Sequence, residues 1–153
     1  MYILNTALNG YTLVDLGDGT GTFIKILNPL PIKDGYIISF GESHMAITLN
    51  DEQMLIKFLD GPKADMEFIF SPCDSPIKIG RSADCKVKFE DNSLSRYQCS
   101  VVFDGKWLLT DGDSKPSTNG TWLFAEEAFQ LTSGCICKAV QTLFSCEIVE
   151  QHA

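Results

Sequence analysis

The chain has few positively charged residues and almost no histidine. Its 153 residues include 12 Lys and Arg against 20 Asp and Glu, which gives a formal net charge of -8. Binding to a nucleic-acid backbone depends on counterion release by clustered Lys and Arg, so this balance argues against a nucleic-acid partner. The two histidines, His44 and His152, have no convincing Cys or Ser partner, and we therefore expect no enzyme active site.

Long apolar runs are also missing. No stretch approaches the roughly 20 apolar residues that a membrane-spanning helix needs. The first eleven residues lack the basic and then apolar pattern of a signal peptide. We therefore expect an intracellular protein, cytoplasmic or nuclear, with no membrane partner.

Most of the six cysteines lie in apolar strand patterns, where a reduced thiol behaves as a small hydrophobic side chain. Cys135 and Cys137 lie on one face of a strand, which is a poor tetrahedral zinc arrangement without a further pair of Cys or His. We expect buried, reduced thiols, with no metal and no cofactor. A disulfide set of the kind found in secreted proteins is the alternative. The six are Cys73, Cys85, Cys99, Cys135, Cys137 and Cys146.

No segment has a sustained helical period of apolar residues. Short β-branched and aromatic runs instead recur between Gly, Asp, Asn and Pro, and this pattern predicts an all-β fold. The predicted strands are 11–16, 22–27, 36–40, 45–49, 54–58, 66–70, 77–80, 87–89, 98–103, 106–110, 121–124, 136–140 and 143–149.

Three polar blocks interrupt the strand pattern at residues 79–82, 94–98 and 117–122. The only two arginines of the chain, Arg81 and Arg96, lie in the first two blocks. Loops at a sheet edge commonly carry binding groups on a rigid scaffold. Guanidinium groups beside hydroxyl and amide side chains suit the capture of an oxyanion, above all a phosphate.

The three blocks resemble the forkhead-associated (FHA) domain, a β-sandwich that binds phosphothreonine peptides through loops at one end. The family pattern is Gly-Arg, then Ser-Arg-x-His, then Asn-Gly-Thr. It is matched here by Gly80-Arg81, Ser95-Arg96-Tyr97 and Asn119-Gly120-Thr121. Gln98 stands where the family has its histidine.

The resemblance implies a phosphopeptide site. By this resemblance Arg81 and Ser95 hold the phosphate, Asn119 fixes the peptide backbone, and Arg96 and Thr118 border the pocket. The partner would be a phosphothreonine-containing protein that a kinase has modified.

The resemblance also implies a scaffold for the loops. The family histidine ties the loops together, and Gln98 can still donate and accept hydrogen bonds in its place. Gly80 and Gly120 belong to the same scaffold.

Other interpretations of these residues remain open. The glycines can simply permit tight turns, Ser95 and Asn119 can satisfy loop backbone, and Arg81 can pair with a carboxylate such as Asp91. The alternative function is a degenerate FHA fold that acts as a structural or assembly module without phosphate dependence.

The sequence also contains an internal similarity. The run Thr20-Gly21-Thr22 matches Asn119-Gly120-Thr121 at an offset of 99 residues, and the same offset relates Gly35-Tyr36-Ile37 to Gly134-Cys135-Ile136. An offset of this size is one domain length. It predicts the C-terminal half of an FHA-like repeat in residues 1–50, followed by a complete FHA-like β-sandwich of antiparallel or mixed sheets in residues 51–150. Because half a sandwich leaves sheet edges bare, the first half is expected to pack or to self-associate.

Overall fold

The computed structural model describes residues 2–6, 10–15, 21–125, 129–139 and 141–149. These residues form sixteen strands and one short 3-10 helix, with no α-helix among them. The predicted all-β class is therefore confirmed. No helix in the described part of the chain is long and apolar enough to cross a membrane.

The strands follow one another along the whole described chain. They are β1 (Tyr2–Thr6), β2 (Gly10–Val14), β3 (Thr22–Lys25), β4 (Leu30–Pro31), β5 (Ile37–Phe40), β6 (Ser43–Asn50), β7 (Gln53–Phe58), β8 (Glu67–Phe70), β9 (Ile77–Gly80), β10 (Val87–Lys88), β11 (Cys99–Phe103), β12 (Trp107–Asp111), β13 (Trp122–Phe124), β14 (Phe129–Gln130), β15 (Ile136–Ala139) and β16 (Thr142–Ser145). The 3-10 helix is Pro72–Asp74.

The strand prediction has two kinds of error. It omitted β1, β4 and β14, and two of these contain only two residues, too few for alternation to be visible. It also carried the last strand to Val149, whereas β16 ends at Ser145. Beyond this point the amide of Ile148 donates to the Ser133 hydroxyl at 3.1 Å instead of to a strand partner. The predicted positions Leu16, Thr20, Val140 and Glu150 lie outside the described residues.

The chain forms two compact units. We call Ile26–Leu123 the sandwich unit, and Met1–Lys25 together with Phe124–Ala153 the split unit. The predicted boundary between Asn50 and Asp51 falls in the turn between β6 and β7, which pair as neighbours in one sheet. The structure therefore divides the chain differently from the sequence prediction, because backbone pairing joins both sides of that boundary.

The sandwich unit contains five strands from each of two sheets. One has the order β13-β5-β6-β7-β8 and the other has the order β10-β9-β11-β12-β4. All the described pairings are antiparallel except β9 with β10, so the second sheet is mixed. This is the β-sandwich that the sequence predicted.

Apolar side chains from both sheets form one core. Ile38 and Phe58 of the first sheet pack with Ile79, Val101 and Leu109 of the second, and each of these five is fully buried. Alternation along each strand places these residues on the inner face, so burial of that face holds the sheets together.

The split unit has its own strands and its own small core. Strands β1, β2 and β14 form one sheet, and β15 pairs with both β3 and β16. Its buried residues are Leu13, Ile24, Ala125, Leu131, Cys135 and Cys137.

The two units use the same strand register. In the sandwich unit Leu109 of β12 lies opposite Leu30 of β4. In the split unit Leu13 of β2 lies opposite Phe129 of β14. Leu30 and Phe129 are 99 residues apart in the chain, the offset found in the sequence.

A second pairing repeats in the same way. Leu123 of β13 lies opposite Ile38 of β5 in the sandwich unit, and Ile24 of β3 lies opposite Cys137 of β15 in the split unit. Both residues of the first pair are 99 positions from a residue of the second. Loop hydrogen bonds agree, since Gly35 donates to the Ile47 carbonyl as Gly134 donates to that of Cys146.

Removing a central aromatic side chain should destabilise the sandwich unit. Phe58 is fully buried and forms edge contacts with the rings of Phe40, Phe68 and Phe89. We expect Phe58→Ala to lower the free energy of unfolding by about 3–5 kcal/mol, as large core truncations do. Urea titration followed by tryptophan fluorescence would measure this loss.

The matched control is Ile69→Ala, since Ile69 is 67% exposed on neighbouring strand β8. We expect this change to stay within about 0.5 kcal/mol. Equal losses for the two variants would contradict the core described above.

Candidate functional site

Three loops leave one edge of the mixed sheet side by side. Cys99, the first residue of β11, lies opposite both Ile79 near the end of β9 and Asp111 at the end of β12. The segments that follow β9, precede β11 and follow β12 therefore emerge together. They contain the three polar blocks identified in the sequence.

Arg81 ties the first loop to the second. Its backbone amide donates to the Ser95 carbonyl at 3.2 Å, and its side-chain Nε donates to the Leu94 carbonyl at 2.6 Å. Arg96 is exposed, and its carbonyl accepts from the Ser82 amide at 3.0 Å. Neither arginine forms an ion pair within the part of the chain that the structure describes.

Asp91 does not neutralise Arg81, although the sequence left this pairing open. The Asp91 carboxylate accepts from the amide and the hydroxyl of Ser93 at 2.8 and 2.7 Å. These two bonds lower the pKa of Asp91, the hydroxyl of Ser93 contributing most. The positive charge of Arg81 is therefore not compensated by this carboxylate.

Ser95 connects the second loop to the third. Its Oγ accepts from the Thr118 amide at 2.9 Å and lies 3.4 Å from the Thr118 hydroxyl. Asn119 follows on the same loop and is exposed, with its carbonyl accepting from the Trp122 indole at 3.2 Å. Among the described residues, the Asn119 side chain makes no hydrogen bond to the other predicted site residues.

Gln98 is buried beneath the loops, with 2% of its surface exposed. Its Nε2 donates to the Gly120 carbonyl at 2.9 Å and to the Thr121 hydroxyl at 3.3 Å. Its Oε1 accepts from the Ser95 amide at 3.3 Å. One amide side chain thus joins the second loop to the third, the arrangement expected for a scaffold residue.

Two glycines allow the loops to approach closely. A Cβ atom on Gly80 would lie 2.4 Å from the Arg96 carbonyl oxygen, closer than real contacts permit. Gly120 is buried with φ at 84°, in the left-handed region that glycine adopts without strain. Both glycines are therefore required by the backbone, as the scaffold role implies.

Sequence reasoning did not identify a group of residues centred on Asp111. The Asp111 carboxylate accepts from the hydroxyls of Ser117 and Thr121 at 2.6 and 2.7 Å. The Ser117 hydroxyl in turn accepts from the Gly120 amide at 2.9 Å. These bonds fix the third loop, and only the fold brings the four residues together.

A second missed group holds the first loop to the second. The Tyr97 hydroxyl donates to the Asp84 carboxylate at 2.8 Å, and the Ser82 hydroxyl donates to the same carboxylate. These bonds, that of Ser82 first, lower the pKa of Asp84. The Lys78 ammonium lies 3.3 Å from the Asp113 carboxylate, and this contact raises the pKa of Lys78. The same ammonium lies 4.6 Å from the centre of the Tyr97 ring.

The loops together present groups that can hold an oxyanion. Two guanidinium groups without a carboxylate partner in the described structure stand on loops that also carry the Ser95 hydroxyl and the exposed Thr118 and Asn119. Guanidinium forks and hydroxyl donors are the groups that bind phosphate oxygens.

Residues 77–136 match the family model of the FHA domain, and this segment contains all three loops. A search of the curated proteins and a search of the solved structures each find no match to the chain. The expectation that the blocks belong to an FHA domain is thus confirmed by the family model itself. Residues 77–136 are therefore similar to the FHA domain, a family of protein-recognition modules.

Proposed function

We propose that the three loops bind a phosphothreonine-containing segment of a partner protein. The observation that carries this proposal is the pair Arg81 and Arg96, held on adjacent tied loops and free of ion pairs within the described residues. In a chain with a net charge of -8, a cation that is not neutralised locally provides a place for an anion. Recognition of phosphorylated segments by arginine clusters belongs to the same physical class.

Each site residue has a distinct role in this proposal. Arg81 and the Ser95 hydroxyl hold the phosphate, while Arg96 and Thr118 border the pocket. Asn119 binds the backbone of the peptide. The family resemblance implies that the phosphorylated residue of the ligand is a threonine.

The bonds between the loops support this assignment because they reduce the ordering cost of binding. Thr118 is fixed to Ser95, and Arg81 is fixed to the carbonyl of Leu94. A loop that is already ordered loses less conformational entropy when a ligand arrives. The candidate groups are therefore largely preorganised.

The alternative is a structural or assembly module that binds unmodified protein. The absence of the family histidine at Gln98 is the feature that favours it. The two functions differ in phosphate dependence. Immobilised peptide libraries with a fixed central phosphothreonine, or with an unmodified threonine, would separate them. Retention on both libraries with equal affinity would favour the alternative.

The phosphate contact itself can be tested at Arg81. A charge-assisted hydrogen bond contributes roughly 1.5–3 kcal/mol, so we expect Arg81→Ala to weaken phosphopeptide binding about tenfold to a hundredfold or more. Arg81→Lys should recover only part of the affinity, because an ammonium lacks the two-pronged geometry. Isothermal titration with a selected library peptide would give the affinities.

Lys57→Ala is the matched control, since Lys57 is an exposed cation on β7 of the other sheet. It removes one positive charge, and we expect affinity close to that of the parent. If Arg81→Ala bound phosphopeptide as tightly as the parent chain, Arg81 would not hold the phosphate.

The role of Gln98 generates a separate prediction. Gln98→Ala removes hydrogen bonds to Ser95, Gly120 and Thr121 and leaves buried partners unsatisfied. We expect a loss of about 1–3 kcal/mol in the free energy of unfolding, together with weaker binding. Gln98→His should keep the fold and change affinity only modestly.

The exposed Gln53 supplies the control Gln53→Ala, which should change neither property. Urea unfolding and peptide titration on the same preparations would check both readouts. A loss of all binding in Gln98→His, with the fold intact, would mean that Gln98 contacts the ligand directly.

A further inference from the structure

Three cysteines of the split unit converge on one face of the β15–β16 hairpin. Cys146 donates its amide hydrogen to the Cys135 carbonyl at 2.9 Å, so these two residues lie opposite each other across the hairpin. Cys137 is two residues beyond Cys135 and therefore on the same face. The three sulfur atoms all lie within 4.8 Å of one another. The sequence pointed to the first two, and the hairpin supplies the third.

The cluster is mostly enclosed but accessible from one side. Cys137 is fully buried and Cys135 is 6% exposed, whereas Cys146 is partly exposed. Cys146 also lines an open cavity of about 390 Å³, together with Tyr11 and Leu131. A small ion can therefore reach the sulfur atoms from this side.

The fold itself does not require cysteine at these positions. The residues at the same register positions in the sandwich unit are Tyr36, Ile38 and Ile47, 99 positions earlier. All three belong to or pack against its apolar core. The same hairpin can therefore be built with three apolar side chains, and the split unit has a sulfur atom at each position instead.

Metal binding does not need a free thiolate beforehand. A metal ion displaces the thiol proton as it binds, and the bound ligand is the thiolate.

We propose that Cys135, Cys137 and Cys146 bind one soft, thiophilic d10 cation, Cu(I) or Zn²⁺, through three sulfur ligands. Thiolate ligands select such ions. Metal–sulfur bonds of about 2.3 Å require sulfur atoms roughly 3.8 Å apart, so the observed cluster has to contract by only about 1 Å. Binding forms three metal–sulfur bonds and releases three thiol protons to solvent, with no change of oxidation state. With Zn²⁺, a water molecule from the cavity beside Cys146 provides the fourth ligand.

Metal titration of the reduced full-length chain tests this site. Zn²⁺ and Cu(I) would be titrated separately against competing chelators, which distinguishes the two ions. We expect one equivalent to bind, with an affinity that rises with pH because protons compete for the sulfur atoms. Cys137→Ser should weaken binding at least a hundredfold. Cys73→Ser, which removes an exposed cysteine outside the cluster, should leave it unchanged.

A second measurement does not depend on whether a variant folds. Alkylation of the parent chain followed by mass spectrometry should show that bound metal protects Cys135, Cys137 and Cys146 but not Cys73. Failure of both ions to bind would overturn the proposal. Equal alkylation of the three with and without metal, or a disulfide between two of them in protein purified without reductant, would also overturn it.

A different observation carries a second inference, about how the chain is connected. The family match runs from residue 77 to residue 136, whereas the sandwich unit ends at Leu123. The family sequence thus continues through β14, which pairs with β2 in the split unit. In the sandwich unit the corresponding position, opposite β12, is occupied by β4 of the first fifty residues.

Core volume explains why the earlier strands occupy the sandwich unit. Phe40 of β5 is 1% exposed and forms edge contacts with the rings of Phe58 and Phe89. The residue 99 positions later is Ala139. In the same place Ala139 would leave an aromatic-sized cavity between the sheets, and such cavities are costly.

Two further core positions follow the same pattern. Ile38 and Ile47 are buried in the sandwich unit, and Cys137 and Cys146 stand 99 positions later. At these two positions the smaller cysteine side chains would fill the core less well than isoleucine does. Packing therefore favours the earlier segment at three positions.

We infer that the chain contains two related units that have exchanged their last three strands, with residues 26–50 in the place that sequential folding would give to residues 125–149. The phosphopeptide loops then depend on strands contributed by the first fifty residues. The two units share one strand register, so either segment can pair in either unit. The volume of the core side chains favours the exchanged arrangement.

Paired substitutions in the full-length chain test this inference. Both tryptophans, Trp107 and Trp122, lie in the sandwich unit, so their fluorescence reports its unfolding. Exchange predicts that Phe40→Ala lowers the midpoint of this transition by several degrees. The matched change Phe144→Ala, in the partly buried Phe144 of β16, should leave it unchanged.

A direct measurement comes from NMR on the monomeric chain. Exchange predicts cross-strand NOEs from Leu123 to Ile38 and between the rings of Phe40 and Phe89. NOEs from Leu123 to Cys137, or a midpoint lowered by Phe144→Ala and not by Phe40→Ala, would overturn the inference.

Discussion

The loop edge of the sandwich depends on the hydrogen bonds of one buried side chain, Gln98. Its amide donates to the third loop at Gly120 and Thr121 and accepts from the second loop at Ser95. Burying a polar side chain in this position costs free energy unless the side chain forms hydrogen bonds. The hydrogen bonds of the Gln98 amide therefore fix the separation of the two loops. The spacing of Ser95 and Thr118 follows from this separation.

Glutamine meets this requirement differently from the histidine of the FHA pattern. A neutral imidazole offers one donor and one acceptor, whereas a primary amide offers two donors and one acceptor oxygen. Gln98 uses both kinds of group, since Nε2 reaches two acceptors and Oε1 receives the Ser95 amide. The substitution therefore keeps the loops connected, and the Asp111 and Asp84 carboxylates add further connections.

The two units show how one register can accommodate different chemistry. Backbone pairing at the β5–β6 and β15–β16 hairpins is the same, with Ile37 opposite Ala46 and Ile136 opposite Ser145. Side chains on the inner face differ, being large and apolar in the sandwich unit and rich in sulfur in the split unit. Backbone hydrogen bonds do not discriminate between such sequences, so packing volume decides which segment fills which core.

The sequence alone determined the all-β class, most strand positions and the three polar blocks, because alternation and loop composition are local properties. The resemblance of these blocks to the FHA pattern also grouped Arg81, Ser95 and Gln98 in one expected site. Only the tertiary structure decided which strands pair across the chain, and so it moved the boundary predicted after Asn50. It alone brought Asp111 to Thr121 and Cys146 to Cys135, because such contacts depend on loop conformation and hairpin register, which the alternation of a single strand does not encode.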